Sequence, residues 1–246
     1  MRYTNKVGGE KIMDKIFTFW EGPMPDYIRL CMKTWRFPYV VLNYDNLHEY
    51  TDFEVTPLLK KFILPRVANC VRAHVLRDNG GYWLDTDTIM VTDQLPTTTM
   101  IGYPEERENT IGYLYAERPH MDMFEEWSAF QDEKLKDPNL KETRWSFLSN
   151  DFTDPYVKEH AEITIAPVRN CWPETYMVES DIPRFDKYKK LYFEESYSLS
   201  DFEPTDMLML HNSWTPDWYK KLSEEEIIKN DNHTLSNVLR EVLEVL

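Results

Sequence analysis

Between residues 15 and 43 the chain spells strand, helix, strand, and that compact alternation restricts the fold more than any other stretch. KIFTFW (15 to 20) is short, apolar and rich in aromatics, the pattern of a buried strand. After the loop EGPMP, Asp26 is placed to cap a helix running to about Arg36, with Ile28, Met32 and Trp35 on one face. YVVLN (39 to 43) then reads as a second buried strand. Two strands joined by a crossover helix lie parallel, so the expected class is α/β with a mostly parallel central sheet flanked by helices.

Bulk properties narrow the function. A chain of 246 residues with 42% hydrophobic and 14% aromatic residues is large enough for one packed α/β domain. Its formal net charge of −15 argues against nucleic acid or an anionic membrane as the main partner, because both reward clustered Lys and Arg. The three cysteines, Cys31, Cys70 and Cys171, are odd in number and lack metal-site spacing, which suits reduced thiols in a cytoplasmic protein. No window approaches the roughly 18 apolar residues of a spanning helix, so any membrane contact is expected to be peripheral, at the inner face of the cell membrane. Residues 1 to 12 are polar and patternless and read as a disordered or non-native tail, with Met13 as an alternative start and 13 to 246 as the domain.

Further along, LPRVANCVRAHVLRDNGG carries Pro65 in a first helical turn, Leu64, Val67, Val71 and Val75 at helical spacing, and Gly80 as a left-handed stop. Asn69 and Arg72, three apart, share a different face. TMIGY (99 to 103), TIGYLYA (110 to 116), ITIAPV (163 to 168) and DMLMLH (206 to 211) are strand candidates. Helices are expected from Pro119 to about Leu135 and over 233 to 246, the latter with Leu235, Leu239, Val242 and Leu246 inward.

The chemistry concentrates in NGGYWLDTDTIM (79 to 90). YWL is a very short strand running into Asp85, and on a continuing strand Asp85 and Asp87 would point to the same side. Two carboxylates that close repel unless a cation or a proton lies between them, and the carboxyl end of a strand is where open α/β sheets bind ligands. Asp-x-Asp alone is a weak motif, and a solvated turn explains it equally; its place after Gly80-Gly81 and an apolar strand favours metal binding. Asp85-Thr86-Asp87-Thr88 also fits the D-x-D-x-T of haloacid-dehalogenase-like phosphatases, although the strand before it is short for that fold and no clean acidic pair follows. The second chemistry is sugar transfer from a nucleotide diphosphate, where a hard divalent ion held by carboxylate neutralises the departing diphosphate.

Asn69 to Arg72, Leu76, Gly80-Gly81, Tyr82 and Asp85-Thr86-Asp87 together resemble the pattern D-x-x-R-x-x-x-L-x-x-x-G-G-x-Y-x-D-x-D of glycosyltransferases with a DXD sugar-binding region. These include glycosyltransferase family 32, the bacterial capsular polysaccharide synthesis enzymes and, more distantly, the clostridial glucosylating toxins. KIFTFW resembles that family's opening strand, Trp35 sits at its "S-W" position, and His211-Asn212-Ser213-Trp214 resembles its closing "H-x-x-S-W". The resemblance implies a single Rossmann-like GT-A domain using a UDP-sugar donor with Mn2+ or Mg2+, and retention at the anomeric carbon. It also implies a saccharide acceptor, lipid-linked, in bacterial capsule or cell-surface polysaccharide synthesis. By position, Asp87 would bind the metal directly, Asp85 would contact the ribose and reach the metal through water, and His211 would complete the coordination. Ser213 and Trp214 would hold the diphosphate, Trp20 would lie against the uracil, and Arg72 would contact donor sugar or phosphate. Two positions depart from the pattern: Asn69 replaces the usual Asp, and Phe17 the His of the opening strand. An amide supplies no charge to a sugar hydroxyl, so the donor sugar stays open. Tyr103, Glu105, Tyr113, Glu117, His120, Trp145 and Tyr156 are the acceptor-side candidates, and a non-catalytic nucleotide-sugar-binding relative is the non-enzyme alternative.

Overall fold

The structure is a computed structural model describing residues 15–103, 108–141, 144, 146–167, 184–202 and 204–244. The expected tail, the alternative start at Met13, and Glu105, Trp145, Cys171 and Leu246 lie outside the described residues.

The first βαβ unit forms, with β1 (Ile16–Phe19), α1 (Asp26–Lys33) and β2 (Tyr39–Leu42), the strands parallel in register Ile16 with Tyr39 through Phe19 with Leu42; Pro25 and not Asp26 is the N-cap, with Asp26 in the first turn, and α1 ends at Lys33, before Trp35 and the expected Arg36. Strand β2 is not buried as expected, for it forms an edge of the sheet and leaves Tyr39 42% exposed. Helix α2 (Leu64–Asn79) carries Pro65 in its first turn and stops at Gly80, whose φ of 67° returns its N–H to the Leu76 carbonyl at 2.9 Å. Gly81 also has positive φ, and a Cβ there would come within 2.7 Å of the Lys15 carbonyl, so the paired glycines are what lets the chain enter β3 (Gly81–Leu84) against β1.

After β4 (Thr88–Met90), strands β5 (Met100–Tyr103) and β6 (Glu108–Ala116) precede α3 (Asp122–Leu135), α4 (Asn150–Glu159) and β7 (Ile165–Pro167). Helix α5 (Arg184–Lys189), strand β8 (Met207–Met209), α6 (Glu224–Lys229) and α7 (Thr234–Glu244) complete the described chain. The main sheet runs β2-β1-β3-β6-β5-β7, mostly parallel, with antiparallel pairing only where β6 meets β3 and β5. β4 and β8 form a separate antiparallel ribbon.

Strand alternation sorts the core into two layers. Ile16, Tyr82, Leu84, Ile101 and Tyr113 pack with α1 and α7, whereas Phe17, Phe19, Trp83, Met100 and Leu114 pack with α2 and α3. Helix α2 is buried on every face from Arg66 to Leu76, so Asn69 and Arg72 lie inside the protein and not on an outward polar face. On α7, Leu235, Leu239 and Val242 point inward as their spacing requires. No helix among the described residues is long and apolar enough to cross a membrane.

Candidate active site

Strand β3 ends at Leu84, one residue before the acidic pair. Residues 85 to 88 form a turn closed by the Thr88 N–H on the Asp85 carbonyl at 3.1 Å. The carboxylates are therefore presented by a turn and not by the strand continuation expected from sequence; both still line one cleft, at the carboxyl ends of β1 and β3. The turn is fixed from both sides. The Asp85 N–H donates to Gly112 on β6 at 2.9 Å, and Leu210 N–H donates to the Asp87 carbonyl at 3.0 Å as the β4–β8 ribbon begins.

The two aspartates sit in different electrostatic surroundings. Oδ1 of Asp85 accepts from Trp83 Nε1 at 2.9 Å and lies 3.1 Å from Arg72 Nη2. Arg72, 3% exposed, sends Nε to the Ala68 carbonyl at 3.3 Å and Nη1 to the Ile111 carbonyl, and its guanidinium lies 4.9 Å from the Trp83 ring centroid. Burial draws the Arg72 pKa below its ordinary value, against the support of both aspartates. Asp87 Oδ2 accepts the Asn212 N–H at 2.6 Å, and its carboxyl also takes its own backbone N–H. Burial first, and then the charge of Asp85, push its carboxyl up to about 7. An acid so raised is one whose negative charge the protein has left under-compensated, which is the condition a bound cation relieves.

The far wall is the segment after β8. A 3-10 turn, Asn212–Trp214, is closed by Trp214 N–H on the His211 carbonyl at 2.8 Å, and Tyr27 Oη donates to Asn212 Oδ1 from α1. The His211 N–H donates to Tyr188 Oη at 3.2 Å, and its ring lies 4.1 Å from that of Trp214.

The structure thus brings Trp20, Arg72, Asp85, Asp87, His211 and Ser213 to one cleft of about 260 Å³, and leaves two expected residues off its lining. Asn69 is buried in α2, its carbonyl taking Gln131 Nε2 at 2.9 Å, and Trp214 packs behind His211 against Tyr188 and Phe185. Of the acceptor-side candidates, Tyr113 and Tyr156 are core residues, while Glu117 and His120 are exposed and none of the four lines the cleft. Sequence reasoning missed Trp83, Asn212 and Gly112. Trp83 was legible in principle, because it stands two residues before Asp85 and carries a buried N–H that needs an acceptor.

No three His, Cys, Asp or Glu side chains among the described residues gather into a metal cage. His211 shares the cleft with the aspartates without forming such a set. The donor set that remains, two carboxylates with one anchored and one under-compensated, fits a hard divalent ion that completes its shell with water and substrate phosphate oxygens.

Residues 3–101 match the family model of capsular polysaccharide synthesis proteins. That match takes in β1, α2 and both aspartates and stops within β5. Among solved structures the chain is similar to the apo-form glycosyltransferase GlyE of Streptococcus pneumoniae TIGR4, at 12% identity and a TM-score of 0.43 over 94% of this chain. The chain spans 60% of that structure's length, and the likeness assigns no residue a role. No curated protein matches the sequence.

Proposed function

We propose that the protein is a metal-dependent glycosyltransferase that moves a sugar from a nucleotide-sugar donor, UDP-linked, to a saccharide acceptor in capsule or cell-surface polysaccharide synthesis. The observation that carries the reading is the aspartate pair in one cleft beside the ends of β1 and β3, with Asp85 anchored by Trp83 and Arg72 and with His211 and Ser213 across from it. The capsular polysaccharide synthesis match over residues 3–101 supports it.

The cleft has the two kinds of wall such a donor needs. Phe19, Trp20, Leu64 and Pro65 in its lining suit a base, and the aspartates with His211 and Ser213 suit a diphosphate. A divalent ion, Mn2+ or Mg2+, would be held by Asp87, with Asp85 and His211 beside it, and would supply charge neutralisation to the departing diphosphate. Asp85 orients the donor through its unclamped oxygen, and Ser213 offers a hydroxyl to phosphate. The reaction then rests on positioning and electrostatics, with retention at the anomeric carbon and no protein nucleophile required. Lipid linkage of the acceptor, and work at the inner membrane face, belong to the same proposal.

The test is a panel of UDP-sugars assayed for slow Mn2+-dependent hydrolysis, which reports the donor without knowledge of the acceptor. Release of UDP from one sugar, abolished by chelation, is expected; no hydrolysis of any UDP-sugar, with melting temperature raised by phosphate mimics alone, points instead to the phosphatase alternative. Metal-dependent binding of UDP without turnover of any donor marks a non-catalytic relative.

A further inference from the structure

We infer that Trp83 is a positioning residue whose indole N–H, together with Arg72, pins one oxygen of Asp85 so that the other is presented to the donor; this rests on the proposed transferase reading. Trp83 is 1% exposed and fills its place in the α2-side core, a task any large apolar residue performs. Its indole N–H adds something a Leu or Phe lacks, a buried donor that needs an acceptor, and it takes Asp85 Oδ1 at 2.9 Å. Arg72 Nη2 approaches that same oxygen at 3.1 Å, and the guanidinium stacks over the Trp83 ring that donates beside it. Two donors therefore converge on one oxygen from a ring and a cation that brace each other.

The other oxygen lies along β6. A Cβ built on Gly112 would come within 3.1 Å of Asp85 Oδ2 and 2.1 Å of the Met209 methyl, so the space beside Oδ2 exists only because position 112 is glycine. Among the described residues Oδ2 accepts no hydrogen bond, and the side chain is 37% exposed at the cleft. The carboxylate thus has two donors on Oδ1 and none, among the described residues, on Oδ2, so a donor sugar reaching the cleft-lining Asp85 finds it already oriented. Asp87 accepts backbone N–H groups and no side-chain donor among the described residues.

Trp83→Phe keeps the ring beneath Arg72 and deletes the N–H. Calorimetric titration of UDP with Mn2+ into the wild type comes first; absence of binding there defeats the transferase reading itself. Given binding, W83F is expected to weaken it about tenfold, the scale of a hydrogen bond to a charged group, and to change it less than about twofold in the D85N background. An unchanged dissociation constant in W83F, or an equal loss in both backgrounds, overturns the inference, since a merely structural tryptophan acts without regard to Asp85. If W83F does not fold, the wild-type indole N–H resonance of Trp83 serves: it is expected to move on addition of UDP with Mg2+ and to stay still in D85N, and a resonance indifferent to ligand in the wild type overturns the inference equally.

Discussion

Helix α2 carries two clusters of charge, and they have been settled in opposite ways. On one side Arg72 meets Asp85, with Asp87 close by. On the other, His74, Arg77 and Asp78 meet Asp52, Thr51 and Asp132 around a cavity of about 400 Å³, larger than the cleft at the aspartates. That second cluster is closed on itself. Arg77 reaches Asp52 at 2.6 Å, Asp78 at 2.7 Å and Ser128 at 3.4 Å; His74 stacks on Phe53 and holds Cys70 at 2.9 Å and Asp132 at 3.0 Å. The bond from His74 holds the Asp132 carboxyl below the ordinary range. Burial works against Asp78, but its bonds from Arg77 and Thr51 outweigh it and hold that acid low as well. Asp87 is driven the other way. On the proposed function, cavity size does not mark the working site; the unsettled charge does.

The largest expected effect falls on the unsettled side. Asp87→Ala should lower Mn2+-dependent UDP-sugar hydrolysis by at least about a hundredfold, the scale of deleting a group aimed at transition-state charge, while leaving the circular dichroism spectrum unchanged. Turnover equal to wild type would erase the contrast.

Next comes the space between β6 and the aspartates. Gly112→Ala must displace the Met209 methyl and crowd Asp85, and overpacking of that kind costs about 1–3 kcal/mol, measurable as a lowered urea midpoint. An unaltered midpoint would show that Met209 yields without cost.

On the settled side, Arg77→Ala strips Asp78 and Asp52 of their cation, and the loss should be about 1–3 kcal/mol of stability with UDP binding untouched. Weakened UDP binding in this variant would join the two clusters and blur the comparison.

The smallest effects are slopes with pH, and their signs should differ. Asp132, with a folded pKa below its unfolded value near 4, contributes stability that is present above about pH 4 and lost as pH falls through the lower folded value. Asp87, with a folded pKa of about 7, holds its proton more tightly when folded, so its contribution declines as pH rises from about 4 to 7 and is flat beyond. Melting temperature against pH in chelator should lose the first slope in Asp132→Asn and the second in Asp87→Asn. Slopes of the same sign would contradict the electrostatic contrast.

What the sequence made legible follows the same division between local and long-range causes. Strand β1 and helices α1 and α2 were readable because aromatic runs, Pro65 and Gly80 act within a few residues of themselves. Strand β2 was misjudged as buried, since edge or centre is decided by partners elsewhere in the chain. Helix α4 went unread because Pro155 lies inside it, where local rules end a helix and tertiary packing of Tyr156 and Val157 overrides them. The site residues divide likewise. Asp85, Asp87, Ser213 and His211 were nominated by pattern and share one cleft, whereas the anchoring of Asp85 by Trp83 and Arg72, and the clearance left by Gly112, exist only once β3, β6 and α2 are assembled.

The most direct measurement is a crystal structure with Mn2+ and UDP bound. The account predicts the metal coordinated by Asp87 and by diphosphate oxygens at the β3 turn, with the uracil toward Trp20 and Asp85 still clamped by Trp83 and Arg72. Metal or nucleotide seated in the larger cavity between Asp52 and Asp132, with the aspartate turn vacant, would contradict it.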